Sequence, residues 1–245
     1  MNLLNYFSEL IAVAKNQMEL CELIPDFKER HHFLEQLKTV SRNVDCPHNE
    51  SHVLSFIIEL LKLPKSVSGC VIEAGAYKGG STAKLSLIAK RIGRKLVVFD
   101  SFEGLPPNEE AHEKSLLGHS IKGWFDEGKF SGSLEEVKTN IEKYGNPEVC
   151  HFVRGWFEDT LPGFNEPIAA AYIDVDLASS TKTCLKYIYP RLSPGGILVS
   201  QDGDFPLVID VFDDNAFWEN EVGCPKPAIA GLRKSKIIKI IKPNG

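Results

Sequence analysis

The chain has no C-x-x-C pair, no long apolar run, no basic excess, no internal repeat and no low-complexity tract. Each absence removes a class of protein. Its six cysteines, at 21, 46, 70, 150, 184 and 224, are scattered through 245 residues. Such single cysteines read as reduced packing residues of a cytoplasmic protein, and not as zinc ligands. Cys46-Pro47-His48 is the one close Cys–His pair in a turn-like setting, and it has no partners at ligand spacing. No stretch approaches the ~18 apolar residues of a membrane span. Asn5, Ser8 and Glu9 interrupt the apolar residues at the start, which does not read as a signal peptide. With 28 Lys and Arg against 33 Asp and Glu, the net charge of -5 leaves no electrostatic footprint for nucleic acid. That balance suits a cationic small molecule slightly better.

What remains is an ordinary globular composition, 43% hydrophobic and 25% charged, of a size for one large domain or a domain with an appendage. Residues 1–62 read as largely helical. Leu3, Phe7, Leu10, Ile11, Ala14, Met18 and Cys21 follow the three-and-four spacing of one buried helix face. A second helix is expected from about Asp26 to Val40. A third is expected from Glu50 to Lys62, with Val53, Phe56, Ile57, Leu60 and Leu61 inward and Pro64 ending it. These helices form either plain core packing or a cap over a cleft, with a homodimer contact as a further reading.

From 63 to 245 the pattern alternates. Short apolar strands are expected at 70–74, 95–100, 149–153, 168–174 and 196–200, with helices near 80–92, 134–144, 179–190 and 206–219. Ser133 and Glu136 form a capping box, and Pro194-Gly195-Gly196 reads as the turn into the fifth strand. Alternating β and α with near-continuous apolar strands predicts an α/β fold with a doubly wound parallel sheet. Ala228–Leu232 and Lys236–Ile241 read as an antiparallel pair closing its edge. The connection at 101–132 carries five glycines and little periodicity, which reads as a lid or as a surface loop.

In such a sheet, ligands sit beyond the carboxyl ends of the strands. Val71-Ile72-Glu73-Ala74-Gly75-Ala76-Tyr77-Lys78-Gly79-Gly80-Ser81 is a strand, a glycine turn and a helix start, a combination that aims free N–H groups at a polar ligand. It lacks the G-x-G-x-x-G of a dinucleotide site, which argues against a nucleotide-dependent oxidoreductase. Asp100 and Ser101 end the second strand, where a carboxylate accepts both hydroxyls of a ribose. Gly155-Trp156-Phe157-Glu158-Asp159 offers aromatic faces after the third. Asp174-Val175-Asp176 and Gln201-Asp202-Gly203-Asp204 end the fourth and fifth. Asp174 and Asp202 either share an oxygen-liganded cation such as Mg²⁺ or cap the following helices; for Asp204 a cap is expected. His112 and His119 are alternative proton acceptors, or solvent-exposed side chains.

Phe99-Asp100-Ser101-Phe102-Glu103-Gly104-Leu105-Pro106 resembles a motif of the TylF-type O-methyltransferases of macrocin and novobiocin pathways. So do Gly155 through Pro162 and the run from Tyr172 through Ser179-Ser180-Thr181 to Gly196. The first turn and the sheet end are similar, more distantly, to catechol O-methyltransferases. The resemblance covers roughly residues 68 to 215. It implies a class I, Rossmann-like seven-stranded sheet with a reversed last strand. It also implies an S-adenosylmethionine site at Glu73, Gly75, Tyr77, Gly79, Ser81, Asp100, Ser101, Gly155, Trp156, Phe157 and Asp174. Asp174, Gln201 and Asp202 are then the Mg²⁺ ligands and Asp176 the catalytic base. Relatives commonly place Asp-Asp or Asp-Asn where this chain has Gln201-Asp202, so one ligand position brings no charge. The expected activity is methylation of a small-molecule hydroxyl, on the sugar of a glycosylated natural product or on a phenol or catechol. The alternative is a cofactor-binding protein with a decayed metal site.

Overall fold

The computed structural model describes residues 14–47 and 50–244, with the backbone alone at Glu50. Its sheet has seven strands: β1 Cys70–Ala74, β2 Leu96–Asp100, β3 Cys150–Arg154, β4 Ile168–Ile173, β5 Leu192–Ser200, β6 Ile229–Ala230 and β7 Ile238–Ile241. They lie in the order β3-β2-β1-β4-β5-β7-β6. The first five are parallel, and β7 runs antiparallel to both β5 and β6. The expected closing pair therefore forms, with β7 as the reversed strand. Every residue of β1 and β4 is buried, which is why both read as continuous apolar runs. The order reverses between β1 and β4, and an open sheet binds its ligand in that crevice.

Helices cover both faces. The first helix is described from 14 to 23 (α1). It is followed by α2 Phe27–Asn43, α3 Glu50–Lys62, α4 Gly80–Arg91, α5 Leu134–Tyr144, α6 Phe157–Thr160, α7 Ala178–Ile188, α8 Pro206–Asp213 and α9 Asn215–Phe217. Successive strand residues alternate between the two cores. Val71, Ala170, Tyr172, Ile197 and Val199 pack with α1 to α5, while Ile72, Ala74, Ala171, Ile173 and Leu198 pack with α7 and α8. The N-terminal helices thus share a core with the sheet. Ser133 Oγ accepts from Glu136 N–H at 3.1 Å, as the capping box requires. No helix among the described residues is long and apolar enough to cross a membrane. Cys21, Cys70, Cys150, Cys184 and Cys224 are free thiols.

Three expectations are corrected. In and just after α1 the packed residues are Asn16, Leu20 and Ile24, whereas Ala14, Met18 and Cys21 are exposed. The same spacing fits both stripes, and Leu20 and Ile24 bury more apolar area than Ala14 and Cys21. Leu3, Phe7, Leu10 and Ile11 lie outside the described residues. Strand β5 begins at Leu192, not 196, because Pro194-Gly195-Gly196 forms a bulge and not a preceding turn. Pairing jumps from Leu192 to Ile197 while β4 advances only from Ile168 to Ala170. The single helix expected at 206–219 breaks at Asp214, whose Oδ1 accepts from Ala216 and Phe217 N–H and starts a new helical segment.

Candidate functional site

A cleft opens at the carboxyl ends of β1, β2, β3 and β4. Its floor is the turn after β1. Gly75 sits at φ +90°, and a Cβ there would collide with the carbonyl oxygen of Asp174, so β1 and β4 approach at a spacing only glycine permits. Gly79, also left-handed at φ +83°, precedes α4 without any side-chain cap. The helix start thus has no side-chain acceptor, and Gly80 and Ser81 line the cleft. Asp100 fixes this turn from the side: its Oδ2 accepts from Ala76 N–H and its Oδ1 from Phe102 N–H, both at 2.6 Å. Burial raises the Asp100 pKa, and those N–H groups oppose the rise.

Most of the expected residues meet in this cleft. Gly75, Tyr77, Ser81, Asp100, Ser101, Gly155, Trp156, Phe157, Asp174 and Asp176 all line it. Glu73, Gly79, Gln201 and Asp202 do not. Glu73 lies fully buried beneath the turn with neither carboxyl oxygen hydrogen-bonded. Burial pushes its pKa up to about 8, opposed by Ser81 and Thr82 alongside.

At the end of β4 and β5, Asp174, Asp176 and Asp202 bring carboxylate oxygens within 4.8 Å of one another. Asp202 is buried, and its Oδ2 accepts from Val175 N–H at 3.0 Å and Asp176 N–H at 3.1 Å. Those bonds hold Asp176 in the left-handed region at φ +61°, a conformation Asp tolerates better than most residues. Burial, then the charges of Asp202 and Asp174, drive the Asp176 pKa well above the carboxylate range, while Lys236 opposes the shift. Three gathered carboxylates of this kind suit a hard cation.

Gln201 was expected among those ligands and lies elsewhere. Its Oε1 accepts from the Tyr172 hydroxyl at 3.2 Å, and its Nε2 lies 3.0 Å from Nδ1 of His52 on α3. Strand alternation explains the difference: Gln201 follows Val199 and Tyr172 onto the α3 side, and Asp202 falls on the other. Asp176 completes the acidic group instead. Asp204 does not cap a helix either, since Phe205 occupies the cap position of α8 without a side-chain bond, and Asp204 Oδ1 is buried without a partner. Neither histidine of the long connection lines the cleft. His119 is exposed, but His112 is enclosed, 4.6 Å from the Phe125 ring centroid.

Other lining residues were not among the expected site residues. Asp45, Cys46 and Pro47 reach the cleft from beyond α2, and Asp45 Oδ2 accepts from Tyr77 Oη and Lys78 Nζ, both at 3.1 Å. Lys236, from the segment before β7, lines it opposite, with its Nζ 5.7 Å from the Phe205 ring centroid. The 101–132 connection contributes Gly104, Leu105, Pro106, Trp124, Phe125 and Phe130. The wall is thus aromatic on the loop side and acidic on the sheet side.

Known proteins resemble this chain in sequence and in fold. Residues 57–218 match the family model of macrocin-O-methyltransferase (TylF). Over 154 residues the chain is 34% identical to the 8-demethyl-8-(2,3-dimethoxy-alpha-L-rhamnosyl)-tetracenomycin-C 4'-O-methyltransferase of Streptomyces olivaceus, covering 61% of this chain and 58% of that one. It is 31% identical over 149 residues to the mycinamicin III 3''-O-methyltransferase of Micromonospora griseorubida, covering 59% of each. The chain therefore spans a little over half the length of these relatives. Among solved structures, the O-methyltransferase NovP superposes with a TM-score of 0.61 at 22% identity, covering 78% of this chain and 81% of NovP. The calicheamicin methyltransferase CalS11 superposes with a TM-score of 0.60 at 19% identity, covering 88% and 93%. These likenesses carry the fold. With the family model matched over well over half of its residues, the chain belongs to the macrocin-O-methyltransferase (TylF) family.

Proposed function

We propose that this protein is an S-adenosylmethionine-dependent O-methyltransferase acting on a sugar hydroxyl of a glycosylated small molecule. The observation that carries this reading is the acidic group Asp174, Asp176 and Asp202 beside an uncapped helix start in one cleft. The relatives' names support the acceptor class, since the first is a methyltransferase of a rhamnosyl-bearing tetracenomycin.

The residues fit both groups the reading requires. When bound, S-adenosylmethionine supplies an electrophilic methyl on a sulfonium, and an acidic cleft accommodates that positive charge. Asp100 and Ser101 stand where a ribose is met, Trp156 and Phe157 offer faces to an adenine, and Gly75 to Ser81 present backbone to the amino-acid end. Asp174 and Asp202 would hold a divalent cation such as Mg²⁺, which when bound relieves the repulsion among the carboxylates and acidifies a nearby hydroxyl. Gln201 would serve behind them, tying β5 to His52 and Tyr172. Asp176, half-buried and facing the cleft, receives the acceptor's proton. The loop wall would act as a lid, orienting the acceptor and excluding water so that oxygen and methyl meet in line.

The test is a transfer assay with labelled S-adenosylmethionine, offered a rhamnosylated aromatic polyketide, its sugar-free aglycone and catechol. Label should enter the glycosylated compound alone. Chelator should reduce the rate by about 10²-fold, and added Mg²⁺ should restore it. Transfer to catechol alone would move the acceptor to a phenol. Binding without transfer to any of them would favour a cofactor-binding protein.

A further inference from the structure

The long connection after β2 is fastened far from its own ends. Glu110 Oε2 accepts from Ala178 N–H at 2.7 Å, and Oε1 accepts from Ser179 N–H at 2.8 Å. These are the first two residues of α7, whose own cap position is Leu177 and offers no side-chain acceptor. A residue 68 positions away thus supplies the cap. His112 Nε2 donates to the same Oε2 at 3.0 Å, and its Nδ1 is buried without a partner. The imidazole ring sits edge-on to Phe125 at 4.6 Å and to Phe205 at 6.2 Å, and both phenylalanines line the cleft. A second tie runs nearby, from Leu116 N–H to the carbonyl of Asp204 at 2.7 Å. The two ties land two residues beyond Asp176 and two beyond Asp202.

We propose that Glu110, oriented by His112, is a positioning residue: a latch that holds this loop closed and couples closure to the placement of the Asp174–Asp176 segment. A carboxylate at a helix start is favoured by the helix dipole, and both of its bonds are charge-assisted. Opening the loop strands two backbone donors and an acid, so closure and α7 capping change together. Burial raises the acid's pKa, yet the bonds from His112, Ser179 and Ala178 overcome it and hold it at about 2. The latch therefore stays charged through ordinary pH and is released by loop motion, not by titration. Its catalytic consequence rests on the proposed methyl transfer; the latch itself does not.

Glu110→Gln tests it without changing size, because its amide nitrogen faces an N–H that needs an acceptor. Glu110→Ala and His112→Phe extend the series. In the cofactor-free chain, amide exchange should speed up about tenfold (~1.4 kcal/mol) at 105–130 and 178–180. The rest of the protein should keep its protection. Dissociation of S-adenosylhomocysteine should accelerate by a similar factor, with the cofactor KM rising more than kcat falls. Unchanged loop exchange and unchanged dissociation would overturn the latch, as would exchange that rises throughout the chain. The exchange result stands even if no acceptor is methylated, so it separates this proposal from the transfer reading.

Discussion

Asp176→Asn is expected to lower kcat by about 10³-fold while S-adenosylhomocysteine binds as before. A positioned general base is worth about 10²–10⁴ in rate, and the amide retains the shape but cannot take a proton. The backbone should survive the change. Position 176 is left-handed at φ +61°, and Asn occupies that region as readily as Asp. The N–H bond from residue 176 to Asp202 is made by the main chain and is kept. Removing one of three gathered charges also weakens cation affinity, so kcat is compared at saturating Mg²⁺. A rate within threefold of the parent's under those conditions would remove Asp176 from the mechanism, leaving the cofactor site intact.

Glu73→Gln has an equally large consequence, for stability. Glu73 is fully buried, and burial raises its folded pKa from 4.5 to about 8 against the opposing hydroxyls of Ser81 and Thr82. A raised carboxyl pKa means that the folded chain holds a proton the unfolded chain has released. Stability contributed by the neutral acid is complete below pH 4.5 and is lost as pH climbs through 8. At about 1.4 kcal/mol per pKa unit, the ceiling on that loss is roughly 5 kcal/mol. Gln carries no such charge. The variant should match the parent near pH 4.5 and exceed it by on the order of 3 kcal/mol at pH 8.5 in urea unfolding. A difference independent of pH would show that Glu73 is not the group that titrates. The same experiment bears on the cofactor: Glu73 lies under the turn, so affinity for S-adenosylhomocysteine should change little.

Much of the sheet was legible because each strand is a short apolar run closed by a polar or glycine turn. The boundaries that moved are those where one residue type has two uses. Pro194-Gly195-Gly196 reads as a turn and is a bulge inside β5, since glycine serves both. Asp214 sits in an apolar periodic stretch, yet its side chain prefers to cap, and that breaks the helix. The candidate site followed the same logic. Residues attached to strand ends, such as Asp100, Asp174 and Asp176, were placed because the fold dictates where strand ends go. Gln201 was misplaced because a motif aligns positions without saying which side of the sheet each one faces. Asp45, Glu110 and Lys236 act across long sequence separations and leave no local pattern. His112, read as a free base or a solvated side chain, is enclosed by Phe125 and Phe205 from different segments.

The most direct test of the account is a calorimetric titration of S-adenosylhomocysteine into the purified chain, with Mg²⁺ present and with chelator. Micromolar binding is expected, about -8 kcal/mol. A separate Mg²⁺ heat is expected as well, one that disappears in Asp174→Ala and persists in Gln201→Ala. Absence of cofactor binding at high concentration would contradict the account, and a Mg²⁺ heat abolished by Gln201→Ala alone would contradict the carboxylate site.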